Sequence, residues 1–149
     1  MVTTARGTGT RQVCGEVIYS RRQGVEPFSV PPLTAYRELV GDASIERLLD
    51  ATEAVRGLRL AEINATAQGG GVAEMLFSSV PFMNLLGIDA EWRVIQGSPS
   101  FYGHTKNLHN MLQGKPGVCG SELELEYRRI MENYALTNNL DDTDVVIVN

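Results

Sequence analysis

The chain has 149 residues, 43% apolar and 21% charged, a composition that fits one soluble globular domain and excludes a disordered or fibrous chain. Thirteen Lys and Arg against eighteen Asp and Glu leave a net charge of -5, and the early bases Arg6, Arg11, Arg21 and Arg22 are too dilute, with Tyr19 alone among them, for a nucleic-acid arm. No run approaches the roughly 18 apolar residues of a membrane span, and no apolar core follows Arg6 and Arg11 as in a secretory signal, so the expected location is cytoplasmic.

In chain order, residues 1–12 are rich in Gly, Thr and Arg without apolar period, and residues 1–32 as a whole are expected to be flexible or extended, with one extended run at Val13–Tyr19. Gln23–Pro32 holds Gly24, Pro27, Pro31 and Pro32, a composition that helix interiors do not tolerate. A helical lead-in over 33–57 follows. Apolar spacing predicts helices at Leu33–Leu39 and Ile45–Leu58, parted near Gly41, with Asp42 or Ser44 able to cap the second.

From residue 58 to 149 the pattern is that of an α/β unit. Leu60, Ala61 and Ile63 read as a strand ending at Asn64, then Gly69, Gly70 and Gly71 form a loop, and Val72 to Leu86 carry about four turns of helix. Ala90–Ile95, with Trp92, is the second strand. A right-handed crossover makes the two strands parallel and covers one sheet face with the helix. Pro99–Tyr102 reads as a loop, His104–Leu112 as a short helix and Glu122–Leu136 as a longer one. Val145–Val148 is an unbroken apolar run, expected to be a strand buried on both faces. Its place one residue before the end of the chain suggests the front part of a larger protein, and an uncovered sheet edge there favours self-association.

The glycine loop is the strongest chemical signal. Residues without Cβ let the backbone turn sharply and approach a ligand, while the N–H groups that open the following helix can face a diphosphate or a sugar oxygen. A structural tight turn explains the same residues. The loop lacks the GxGxxG spacing and has no Lys-Ser or Lys-Thr pair, so neither a nicotinamide site nor an ATPase loop is expected. Cys14 and Cys119 lie far apart and read as reduced thiols, and His104 and His109 are set about 140 degrees apart on a helix, so no metal site is expected. Lys106, Asn107, Asn110 and Gln113 are a polar cluster suited to hydroxyl groups or to plain solvation. Glu62 and Glu74 are candidate acids, whereas Glu122, Glu124 and Glu126 read as capping and solvated positions.

Several dispersed blocks carry a resemblance. Tyr36-Arg37, Val40-Gly41, Asn64-Ala65-Thr66, Gly69 to Leu76, Trp92 to Gly97, Phe101, Thr105-Lys106-Asn107 and His109 to Gly114 occur in order along Leu33–Val148. That stretch resembles the amino-terminal region of the glycosyltransferring trehalose synthases, family 4 retaining glycosyltransferases, and is similar to the trehalose phosphorylases. The resemblance implies an incomplete Rossmann-like parallel sheet with flanking helices, the acceptor-side domain of a GT-B enzyme that joins nucleotide-glucose to glucose. It also implies substrate contacts at Gly69, Gly70, Gly71, Val72 and Glu74, and at Lys106, His109, Asn110 and Gln113. The implied partners are glucose or trehalose, with nucleotide-glucose as donor substrate in a full enzyme, beside the second copy of the chain that the uncovered sheet edge favours; no cofactor or metal is implied. The family's donor-binding Arg and Lys and its pair of Glu residues fall in a second domain, so no catalytic residue is assigned and the chain alone is expected to be inactive. The alternatives are a fragment of a trehalose phosphorylase, which would use phosphate and trehalose, and a noncatalytic sugar-binding or assembly module.

Overall fold

In the computed structural model, which describes residues 15–149, the elements are β1 (Glu16–Tyr19), α1 (Leu33–Val40), α2 (Asp42–Glu53), β2 (Arg59–Asn64), α3 (Gly71–Leu85), β3 (Asp89–Val94), α4 (Pro99–Leu112), α5 (Ser121–Thr137) and β4 (Val145–Val148). The amino-terminal tail and Cys14 of the sequence reading lie outside the described residues; Cys119 is a free, exposed thiol.

Four strands form one open sheet in the order β1-β3-β2-β4. β2 is parallel to both β3 and β4, as the crossover requires, while β1 runs antiparallel along the far side of β3 with Glu16 opposite Val94. The expected parallel unit is therefore present and gains an antiparallel edge from the early extended run.

Strand alternation sends Leu60, Ala90, Trp92 and Val94 to the face covered by α3, whose Ala73, Leu76 and Val80 recur at helical spacing and are buried with them. Trp92 is fully buried, with Phe77 edge-on at 5.0 Å and Phe28 at 6.3 Å. Phe28 belongs to the proline-rich segment, so that segment lays an aromatic lid on the core. Pro81 lies inside α3, and Asn84 on the next turn binds the carbonyls of Val80 at 2.9 Å and Ala90 at 2.7 Å, pinning helix to strand. On the other face Ile63 packs with Phe101, Ile130 and Tyr134, which brings α4 and α5 over the sheet.

Three expectations change. α4 begins at Pro99, not His104, because Ser98 caps it and Pro is at home in a first turn. α2 starts at Asp42 after Gly41, whose φ of 79° breaks the chain, and neither Asp42 nor Ser44 serves as its cap; it ends at Glu53, short of Leu58. β4 is not buried on both faces: Val145, Val146, Ile147 and Val148 are 38, 42, 39 and 72% exposed. Its only strand partner among the described residues is β2, so the apolar run marks a strand without supplying its cover.

One ion pair sets where β4 joins. Arg59 at the start of β2 gives its backbone N–H, Nε and Nη2 to Asp144 at 2.9, 3.0 and 2.8 Å. Those bonds, the side-chain ones first, lower the Asp144 carboxyl from 3.8 to about 2. A depressed carboxylate stabilises the fold above its ordinary pKa, and the contribution fades as pH falls from 3.8 to about 2. Carboxyl-carbon NMR should show Asp144 titrating near the lower value, and Asp144→Asn should flatten the acid limb of the stability curve over that window. Titration of Asp144 as an ordinary aspartate would refute the pairing.

Candidate functional site

Because β2 and β3 are parallel, the loops leaving their carboxyl ends, 65–70 and 95–98, emerge on one edge of the sheet. In open α/β sheets that edge is where ligands bind. β1 begins on the same edge, where Gln96 donates to Glu16 at 3.0 Å.

The first loop is anchored at its root and open at its tip. Asn64, buried at the end of β2, accepts the indole N–H of Trp92 at 2.7 Å and donates to the Thr66 carbonyl at 2.7 Å. Thr66 closes the next turn, accepting from Gln68 N–H at 3.1 Å and donating to the Gln68 carbonyl at 2.8 Å. Gly69 and Gly70 then take φ of 75° and 87°, a region that side chains avoid, and a Cβ at either would meet nothing within 4 Å. The glycines are thus required by backbone angle, and they leave open space beside the loop. Among the described residues no side chain caps α3, the N–H groups of Gly71, Val72 and Ala73 have no intrahelical acceptor, as in any first turn, and Glu74 stands exposed beside them.

Tyr102 joins the two loops, a role that no motif or spacing signals. Its hydroxyl accepts the Gly97 N–H at 3.1 Å and lies 3.1 and 3.0 Å from the carbonyls of Ala65 and Ile95, which share its proton. Its neighbour Phe101 fills the space a side chain at Gly97 would take. Both residues are placed by the first turn of α4.

A second cluster also escaped sequence reasoning. Glu126 of α5, expected to be solvated, receives Ser98 Oγ at 2.6 Å, Ser100 Oγ at 3.0 Å and His104 Nδ1 at 3.0 Å. These bonds, Ser98 foremost, hold its carboxyl below the ordinary glutamate range. Ser100, His104 and Glu126 line a groove of about 390 Å³ between α4 and α5, with Glu122, Leu125 and Arg129. Ser-x-Ser before an apolar residue signals a helix start, but nothing in sequence names a partner 22 to 28 residues away. A smaller hollow of about 210 Å³ lies among Arg22, Gln23, Arg93, Asn139, Asp142 and Thr143.

The sequence-predicted residues fall into two groups. Gly69, Gly70, Gly71, Val72 and Glu74 are together at the loop and the start of α3. Lys106, His109, Asn110 and Gln113 lie along the later turns of α4 and its cap, with His109 roughly 15 Å of helix rise beyond Pro99. Lys106, His109 and Gln113 are exposed and Asn110 is half-buried. Glu62, a candidate acid, is buried on β2 and accepts Asn149 Nδ2 at 2.8 Å. Among the described residues no group of three or more His, Cys, Asp and Glu could hold a metal ion, and no helix is long and apolar enough to cross a membrane.

Tyr102→Phe should leave the core intact while costing about 1 kcal/mol and speeding hydrogen exchange at Gly97. Exchange measured by NMR at an unchanged rate would show that the hydroxyl does not couple the loops.

Comparison with known proteins gives this edge a context. The family described as "Trehalose synthase, N-terminal domain" matches residues 62–149, which take in the second half of β2, the glycine loop and every element after it. Trehalose synthase of Thermococcus litoralis is 37% identical over 117 residues, 78% of this chain and 28% of that protein. The Rubrobacter xylanophilus trehalose synthase is 36% identical over 122 residues with the same coverages, and trehalose phosphorylase of Pleurotus pulmonarius is 32% identical over 115 residues, 74% of this chain and 15% of that protein. The chain thus spans about 28% of the length of the trehalose synthases it matches. The open four-stranded sheet with flanking helices is consistent with the amino-terminal domain of a GT-B glycosyltransferase. The chain belongs to the trehalose synthase N-terminal domain family and is related to the trehalose phosphorylases.

Proposed function

We propose that this chain forms the acceptor side of a retaining glucosyltransferase that makes trehalose from nucleotide-glucose and glucose, binding glucose at the edge formed by loops 65–70 and 95–98. The observation that carries this is the pair of parallel-strand loops held together by Tyr102, one of them an uncapped helix start behind two left-handed glycines. Kinship with the trehalose synthases supplies the sugar and the reaction.

The chemistry at the loop favours a neutral hydroxylated ligand on this side of the cleft. Exposed N–H groups of Gly71 and Val72 can donate to sugar oxygens, and Glu74 in the same turn can accept from a sugar hydroxyl. A diphosphate would meet the same N–H groups but would be repelled by Glu74. The donor's diphosphate therefore belongs on a facing domain, whose basic groups would stabilise the leaving charge. Lys106, His109, Asn110 and Gln113 would act as a second acceptor-side patch on α4, reached by the product or by the facing domain. No cofactor or metal enters this scheme. A phosphorylase would bind the same sugars and differ in using phosphate with trehalose.

Titration of the labelled chain with glucose and with trehalose, followed by amide NMR, tests the assignment. Expected are saturable shifts in the millimolar range at residues 64–72 and 95–98, as for a small ligand on an open surface. Shifts confined to residues 106–113 would move the acceptor site to α4, and the absence of saturable shifts with either sugar would sink the proposal.

A further inference from the structure

Ser98 makes two bonds with opposite roles. As the cap of α4 its oxygen accepts the Phe101 N–H at 3.0 Å, and its own proton goes to Glu126 at 2.6 Å. A hydroxyl has one proton, so committing it to α5 turns the lone pairs toward the helix. Ser100 and His104 meet the same carboxylate, and of the side chains available only an ionised carboxylate accepts from three donors while presenting none. Glu126 is 19% exposed, shielded by the groups that it orients.

The turn held in this way also carries the loop clamp. Tyr102 N–H bonds the Ser98 carbonyl at 3.1 Å, and the Tyr102 hydroxyl reaches Ala65, Ile95 and Gly97. A continuous set of contacts therefore runs from α5 through Ser98 and the first turn of α4 to both loops at the carboxyl edge.

We propose that Glu126 is a positioning residue: from α5 it fixes the cap of α4 and, through Tyr102, the relative placement of loops 65–70 and 95–98. The placement stands on geometry alone, and its consequence for sugar affinity rests on the acceptor reading given above. Glu124 lies on the same helix, pairs with the exposed Arg128 and provides a matched control.

The test uses the whole chain. Glu126→Gln puts an amide donor where three donors converge, and should speed hydrogen exchange at the Phe101 and Gly97 amides by about tenfold. Glu124→Gln should leave both rates at the wild-type value, and glucose should bind Glu126→Gln several-fold more weakly. In the wild-type chain the Phe101 and Gly97 amide shifts should titrate together with the Glu126 carboxyl signal, which keeps the proposal open to refutation if the variant fails to fold. Unchanged exchange in a folded Glu126→Gln, or amide shifts indifferent to that titration, overturns the proposal. A wild-type chain that ignores both sugars defeats the acceptor reading, and the exchange and titration results then decide the positioning role independently.

Discussion

Parallel pairing of Arg59–Asn64 with Asp89–Val94 is the constraint from which the rest of the molecule follows. Two neighbouring strands that point the same way need a crossover, and α3 supplies it while covering the face that holds Leu60 and Trp92. The same direction brings the two following loops out on one edge, within reach of a single tyrosine hydroxyl. β2 also takes β4 on its other side, with Arg59 and Asp144 setting the register at the opposite end of the strand.

The sheet also divides the polar groups by face. Alternation along β3 points Trp92 to α3 and sends Glu91 and Arg93 to the other side, where both are buried. Glu91 is met there by Arg93, by Arg22 at 3.4 Å and by Ser20 at 3.1 Å, while Arg93 also holds the Asn139 carbonyl at 2.9 Å. The turn after β1 and the approach to β4 are thus fastened to a central strand by a charged network centred on the buried Glu91 and Arg93. Removing Glu91 would leave the buried Arg93 without its carboxylate, a larger loss than an exposed pair incurs.

Much of the fold was legible because it is encoded in short-range pattern. The apolar run before Asn64, the three glycines, and the helical spacing of Ala73, Leu76 and Val80 mark a strand, a loop and a helix within one window of sequence. The start of α4 was misread because Pro99 resembles a loop residue until Ser98 is recognised as its cap. The β4 run signals a strand and its apolar preference, but exposure depends on which elements reach it. Tyr102 and Glu126 stayed hidden for a related reason: their partners lie up to 37 and 28 residues away, and only packing of α4 against the sheet and α5 brings them together. Glycine angles were legible; the acceptors and donors around them were not.

The bond between Trp92 and Asn64 has an optical consequence. Trp92 is the sole tryptophan of the chain, it is fully buried, and its indole N–H ends on the residue that begins the glycine loop. Its emission therefore reports one place: a blue-shifted, quencher-resistant band for the intact core, and a change in intensity when Asn64 shifts. The fold carries its own fluorophore at the root of the loop, so movement there is visible without a label.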